Sequence, residues 1–169
     1  YELTHIVFYL SEYGRRDPDL SVSAKRSLRF AGVLAYLDQN ADLLAEVCVA
    51  LRYSGQVPPA IWEDWVAHSL SSFDIQAGQN VDVADDYHTF FVSTWLSRMT
   101  QENTPSMQIP TGRVRFGAPV ASTSPLRSLS SCMMHMDDAR SDDWHVMRPV
   151  LEQAVDAQGY EILTKAQHS

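Results

Sequence analysis

The segment ADLLAEVCVALRYS, residues 41–54, decides the fold. It is apolar almost all round and is followed by Gly55, a residue well suited to closing a helix, so it reads as the most buried helix of the chain. In its middle stands Glu46, the only charged side chain between Asp42 and Arg52. A buried carboxylate is costly unless it is paired, hydrogen-bonded or coordinated. Glu46 therefore calls for a partner: a histidine from another helix, a metal ion, or Arg52 further along its own helix, with a tertiary partner favoured.

Helical periodicity continues on both sides of this segment. Upstream, Leu3, Ile6, Val7 and Leu10 predict a helix to about residue 13, stopped by Gly14 and Asp17-Pro18, with Glu2, His5, Tyr9 and Glu12 along its polar edge. Asp19 or Ser21 then caps a second helix to about Gln39, with Leu20, Ala24, Leu28, Ala31 and Ala35 inward and Lys25, Arg26 and Arg29 outward. Downstream, Pro58-Pro59 opens a fourth helix carrying Ile61, Trp62, Trp65, Val66 and Leu70 and ending near Phe73. Gly78 and Asn80 mark a loop. A fifth helix runs from about Val83 to Met99 with Asp85, His88, Val92, Trp95, Leu96 and Met99 on one stripe, which turns His88 inward.

Residues 101–125 hold four prolines and two glycines, the signature of a long loop, a lid or a linker, with a short β-arm around Arg113 to Phe116. Leu126 to Met136 and Trp144 to Ala157 are the last helices, the second interrupted or kinked near Pro149, and a polar tail starts at Gly159. The fold class is all-α, built from antiparallel helical hairpins. A chain of 169 residues suffices for one domain with its own core. The amphipathic pattern is already running at residue 2, so a lobe of a longer chain is the other reading.

Composition narrows the function classes. A net charge of -8, with 13 basic residues against 21 acidic, excludes a duplex-binding stripe, so nucleic acid is not an expected partner. No apolar stretch approaches the roughly 20 residues that span a bilayer, and no secretory leader is read, so no membrane contact is expected. Cys48 and Cys132 stand far apart outside any Cys-x-x-Cys step, which reads as two reduced thiols in a cytoplasmic protein, a single long-range disulfide being the alternative. No nucleophile elbow and no glycine-rich phosphate loop is present in the sequence.

Chemistry enters through three steps of the form acid-x-x-His: Glu2 with His5, Asp85 with His88, and Asp142 with His145. Three residues of separation puts carboxylate and imidazole on one helix face, and such pairs on facing helices hold metal ions in helical bundles. If His5, His88, Glu46, Asp85 and Glu2 converge, they form a mixed nitrogen and oxygen ligand set suited to iron, manganese or zinc. The plainer readings are a core histidine bonded to a carbonyl, an Asp85 favoured by a helix N-terminus, and a solvated edge at Glu2 and His5. Asp142 and His145 belong with Asp137, Asp138 and Asp143 to an exposed charged turn and helix start. His135 among Met133, Met134 and Met136 is read as packing before soft-metal binding. Trp62, Trp65, Trp95, Phe90, Phe91, Tyr87 and Tyr9 are core residues first and pocket linings second.

The run Glu-Leu-Thr-His-Ile-Val-Phe-Tyr-Leu at 2–10, Asp-Leu-Leu-Ala-Glu-Val at 42–47, the Gln-containing loop at 76–79 and Tyr-His-Thr at 87–89 resemble parts of an actinobacterial helical family. That family is similar to α/α-toroid proteins, whose paired helices ring a cavity. The resemblance covers about the first hundred residues, and it implies a toroid-like or bundle arrangement with His5, Glu46 and His88 facing a shared centre. Two functions are expected on these grounds. One is a metal-dependent enzyme, a biosynthetic tailoring oxygenase or hydrolase acting on a small apolar molecule or a peptide. The other is a non-catalytic helical scaffold that meets a protein partner or self-associates.

Overall fold

In the computed structural model, which describes residues 1–78, 86–100, 109–118 and 126–166, the chain is mostly helical with one small two-stranded sheet. Its packing divides into two compact units, Tyr1–Gly32 with Ala41–Val120 and Val33–Asn40 with Ala121–Ser169. The first unit contains α1 (Glu2–Leu10), the N-terminal part of α2 (Val22–Leu37), α3 (Ala41–Tyr53), α4 (Ala60–Ser71), β1 (Asp74–Ala77), α5 (Tyr87–Thr100) and β2 (Val114–Gly117). The second contains the end of α2 with α6 (Leu126–Met134), α7 (Trp144–Ala154) and α8 (Ala157–Lys165).

The apolar character of residues 41–54 has the expected consequence. α3 is buried without interruption from Leu44 to Leu51 and packs against α1, α4 and α5. It closes on Gly55 at φ +71°, where the Gln56 amide donates to the Leu51 carbonyl at 2.9 Å and the Gly55 amide to Arg52 at 3.1 Å. This is the left-handed closure for which glycine carries no Cβ penalty. Arg52 donates twice to Glu63 of α4, at 2.7 and 2.9 Å, so that this forked pair removes Arg52 from the partners open to Glu46.

α1 ends at Leu10 and the chain turns through Glu12, Tyr13 and Gly14, all at positive φ. At Gly14 the ring of Tyr53 occupies the space that a Cβ would take. The same closeness recurs where Gly32 of α2 meets the Trp62 ring of α4. Ser21, not Asp19, caps α2: its Oγ accepts from the Ala24 amide at 3.2 Å, while Asp19 adopts a left-handed φ of +47°.

The expected β-arm is present as β2, and its partner β1 lies between the expected end of the fourth helix near Phe73 and the loop marked by Gly78 and Asn80, where no strand is expected. The strands run antiparallel with Ile75 opposite Phe116. Leu70, Phe73, Phe90 and Phe116 form the small core beneath them, with Ile75 and Val114 against it. The arm also fixes the entry to α5, because the Asp86 amide donates to the Phe116 carbonyl at 2.9 Å and its carboxylate accepts from the Ala118 amide at 2.9 Å. Among the described residues the fifth helix starts at Tyr87, and Val83, its expected start, lies outside them. Asp85 lies outside the described residues, as do 101–108 and 119–125 of the expected lid.

In the second unit α6, α7 and α8 pack on one another. Asp143 caps α7 by accepting from the His145 amide at 2.9 Å, and Asp156 caps α8 by accepting from Gly159 at 2.7 Å. α7 runs through Pro149, which forgoes the hydrogen bond that its missing N–H would make. The segment expected as a polar tail is α8, with Gly159 buried against Val155 and Ser128. No described helix is long and apolar enough to cross a membrane.

Candidate metal centre

Glu46 occupies the middle of α3 and is 1% exposed. Its partners come from the two helices that flank this part of α3. From α1, Thr4 brings its hydroxyl to 2.5 Å from Glu46 Oε2 and 2.6 Å from the Tyr1 carbonyl. A hydroxyl has one proton, so Thr4 donates to one of these acceptors at a time. The other oxygen, Oε1, lies 3.4 Å from His5 Nε2 and 3.8 Å from His88 Nε2. Two imidazoles from different helices therefore meet one oxygen of a buried carboxylate.

His88 is held from its far side. Nδ1 lies 2.6 Å from Asp42 Oδ1, and the Tyr1 hydroxyl donates to Asp42 Oδ2 at 3.0 Å. With the ring proton on Nδ1 and donated to Asp42, Nε2 keeps a lone pair on the Glu46 side. A carboxylate that orients a histidine in this way is the usual support of a metal-bound imidazole. Asp42, Glu46 and His88 each offer a ligand atom within 4.8 Å of the others. Two carboxylates that close repel each other by roughly 3 kcal/mol at an effective dielectric near 20, which a cation between them would offset.

The distances bear on what joins these groups. A hydrogen bond at 3.8 Å is no longer one, and 3.4 Å is at its limit. Two atoms sharing an ion at about 2.1 Å in tetrahedral geometry stand about 3.4 Å apart. The 3.4 Å separation from Oε1 to His5 Nε2 is compatible with a long hydrogen bond as well as with a shared ion, and the 3.8 Å separation to His88 Nε2 is too long for a direct hydrogen bond.

The sequence-predicted residues divide accordingly. His5 and His88 each approach Glu46. The group whose ligand atoms all lie within 4.8 Å of one another is Asp42, Glu46 and His88, so His5 reaches Glu46 without belonging to it; Glu2 is exposed, and Asp85 is outside the described residues. The inward placement of His88 is corrected: its side chain is 53% exposed, and that of His5 is 50%, so both imidazoles form a rim above Glu46. The cause is the helix start, since His88 belongs to the first turn of α5 and the core begins two residues later at Phe90. Asp42, Tyr1 and Thr4 were not foreseen. Asp42 had a signal, standing four residues before Glu46 on the same face of α3.

A cleft of about 240 Å³ opens beside the imidazoles, its walls including Phe8, Tyr9, Tyr13, Phe91 and Trp95. Trp95 contacts Phe8 at a centroid distance of 5.2 Å and Tyr53 edge to face at 5.8 Å. Trp62 and Phe90 are core residues as expected, whereas Tyr9, Phe91 and Trp95 line this opening. A larger depression of about 610 Å³ at the tip of the β-arm is lined, among the described residues, by Gly78, Thr111, Gly112 and Arg113, with no carboxylate or imidazole. The histidine step of the second unit has no comparable surroundings: His145 is exposed at the start of α7, and His135 places Nδ1 2.7 Å from the Ser131 carbonyl.

The chain belongs to the family described as a domain of unknown function (DUF6902), whose model matches residues 1–169. No curated protein and no solved structure matches it.

Proposed function

We propose that this family member is a metal-dependent enzyme in which His5 Nε2, His88 Nε2 and Glu46 Oε1 hold a divalent iron, manganese or zinc ion. The single observation that carries this reading is the approach of both Nε2 atoms, at 3.4 and 3.8 Å, to one buried carboxylate oxygen. Two histidines and one carboxylate leave open positions on an ion, as catalytic sites do and closed structural sites do not. Such an ion supplies Lewis acidity or a site for dioxygen, which suits a tailoring oxygenase or a hydrolase acting on a small apolar molecule or a peptide. In that scheme Asp42 holds the His88 ring and its tautomer, Thr4 occupies the second Glu46 oxygen, and the aromatic walls keep water from the bound molecule.

The charge balance of the chain supports a function without nucleic acid, and two free cysteines, Cys48 and Cys132, support a reducing cytoplasmic setting. A second reading has its own observation: Glu46 and Asp42 already find hydrogen-bonding partners in Thr4, Tyr1 and His88. On that reading the chain is a helical scaffold, binding a protein partner or itself, and the buried network fixes how α1, α3 and α5 dock.

Metal analysis of the purified protein separates them. The enzyme reading expects about one equivalent of a transition metal and a rise in melting temperature when metal is restored after chelation, both abolished by His88→Ala. Less than about a tenth of an equivalent of zinc, iron or manganese after reconstitution, together with a melt indifferent to chelator, would falsify it.

A further inference from the structure

We infer that the cleft beside Glu46 binds a small molecule with a single aromatic ring and one oxygen donor, of the phenol or benzoate kind, oxygen towards the imidazoles. The inference deepens the metal reading and rests on it only for what the oxygen meets. Three observations carry it.

The first is that the carboxylate and imidazoles are gathered in one place. Among the described lining residues, His5 and His88 gather around the Glu46 carboxylate, and the remainder are Val92 and aromatic rings whose polar atoms are the Tyr9 and Tyr13 hydroxyls and the Trp95 indole N–H. A ligand complementary to that distribution is apolar along its length with one polar atom. An oxygen there can ligate an ion at its open position, or accept from an imidazole N–H when no ion is bound.

The second is size. An apolar cavity of about 150 Å³ holds benzene. The cleft, at about 240 Å³ and open to solvent, has room for one ring and a short substituent.

The third is the wall itself. Tyr9, Tyr13 and Phe91 are exposed and yet converge on this opening, and Tyr13 meets Trp95 at a centroid distance of 6.1 Å with planes 31° apart. Exposed rings gathered around a concavity, with tilted faces and free edges, are matched by another ring, which gains offset or edge contacts that an aliphatic chain does not.

The test is a titration of the whole chain with 4-methylphenol, followed by amide NMR shifts, once with zinc and once with excess chelator. 4-Methylcyclohexanol serves as the non-aromatic control. Saturable shifts at the amides of His5, Phe8, His88, Phe91 and Trp95 are expected. Phe91→Ala, a change at an exposed position that the fold should tolerate, is expected to raise the dissociation constant about tenfold, and the cyclohexanol to bind at least about fivefold more weakly. Absence of saturable shifts in both conditions, or a dissociation constant that Phe91→Ala and Trp95→Leu both leave unchanged, overturns the inference. Zinc uptake without cleft binding of 4-methylphenol sinks this inference and leaves the metal reading standing. Cleft binding by protein that takes up no metal does the reverse.

Discussion

An acid three residues ahead of a histidine occurs at Glu2 and His5 on α1 and at Asp142 and His145 at the start of α7, and the two have opposite fates. His5 faces a carboxylate that is buried in α3. His145 is exposed, and the neighbouring Asp143 spends its side chain on the helix end. The spacing is identical, so spacing is not what makes the site. What differs is the helix opposite. α3 carries a charge where everything around it is apolar, and the histidines that matter are those whose rings reach that charge. Glu2, the acidic neighbour of His5, is exposed, and among the described residues the carboxylate that grips His88 is Asp42, from α3.

This contrast can be broken most severely at Glu46. Glu46→Gln keeps the shape and the Thr4 contact but removes the charge, and bound metal is expected to fall from about one equivalent to below about a tenth, read by elemental analysis. Retention of metal in that variant would show that the buried carboxylate is not what distinguishes the two regions. Next comes Asp42→Asn, which leaves the ligands in place and loosens the grip on His88. Competition with a chromophoric chelator should show metal affinity about 10- to 100-fold weaker, with the denaturation midpoint little changed.

In the second unit the effects should be smaller and confined to stability. Asp143→Ala is expected to cost about 1 kcal/mol in a urea melt through the lost helix cap, and His145→Ala less than about 0.5 kcal/mol, neither altering metal content. The smallest test compares the cysteines, one in each unit. Cys48 is fully buried, and burial, aided by the charge of Glu63 against that of Arg52, pushes its thiol up to about 12 from an ordinary 9.0. Cys132 is half-buried and its thiol is raised by burial alone. Iodoacetamide should label Cys132 first. Because the folded state keeps a Cys48 proton that the unfolded chain releases above about pH 9, that contribution to stability is present below pH 9 and is lost as pH rises towards 12. Cys48→Ala should flatten that alkaline loss.

Much of the helical layout was legible because apolar periodicity, capping residues and glycine stops are local. The Gly55 closure and the Ser21 cap are examples. β1 was not legible, since its four residues mean little without β2, which pairs with them from about forty positions downstream. α8 was hidden by Gly159, which suggests a break until the cap from Asp156 and the burial of that glycine are seen. A lone charge on an apolar helix marked Glu46 as needing a tertiary partner, which Thr4 and His5 provide, while the histidines were marked by their acid-x-x-His steps. Thr4, Tyr1 and Asp42 did not follow, because their roles depend on how α1 and α5 lie across α3 and not on any spacing along one of them.

The bare backbone at Gly14 reaches further than its position suggests. The Tyr53 ring fills the space beside it and meets the indole of Trp95 edge to face. A side chain at 14 would have to displace the Tyr53 ring, so the position of a cleft wall, Trp95, depends on a bare turn two rings away.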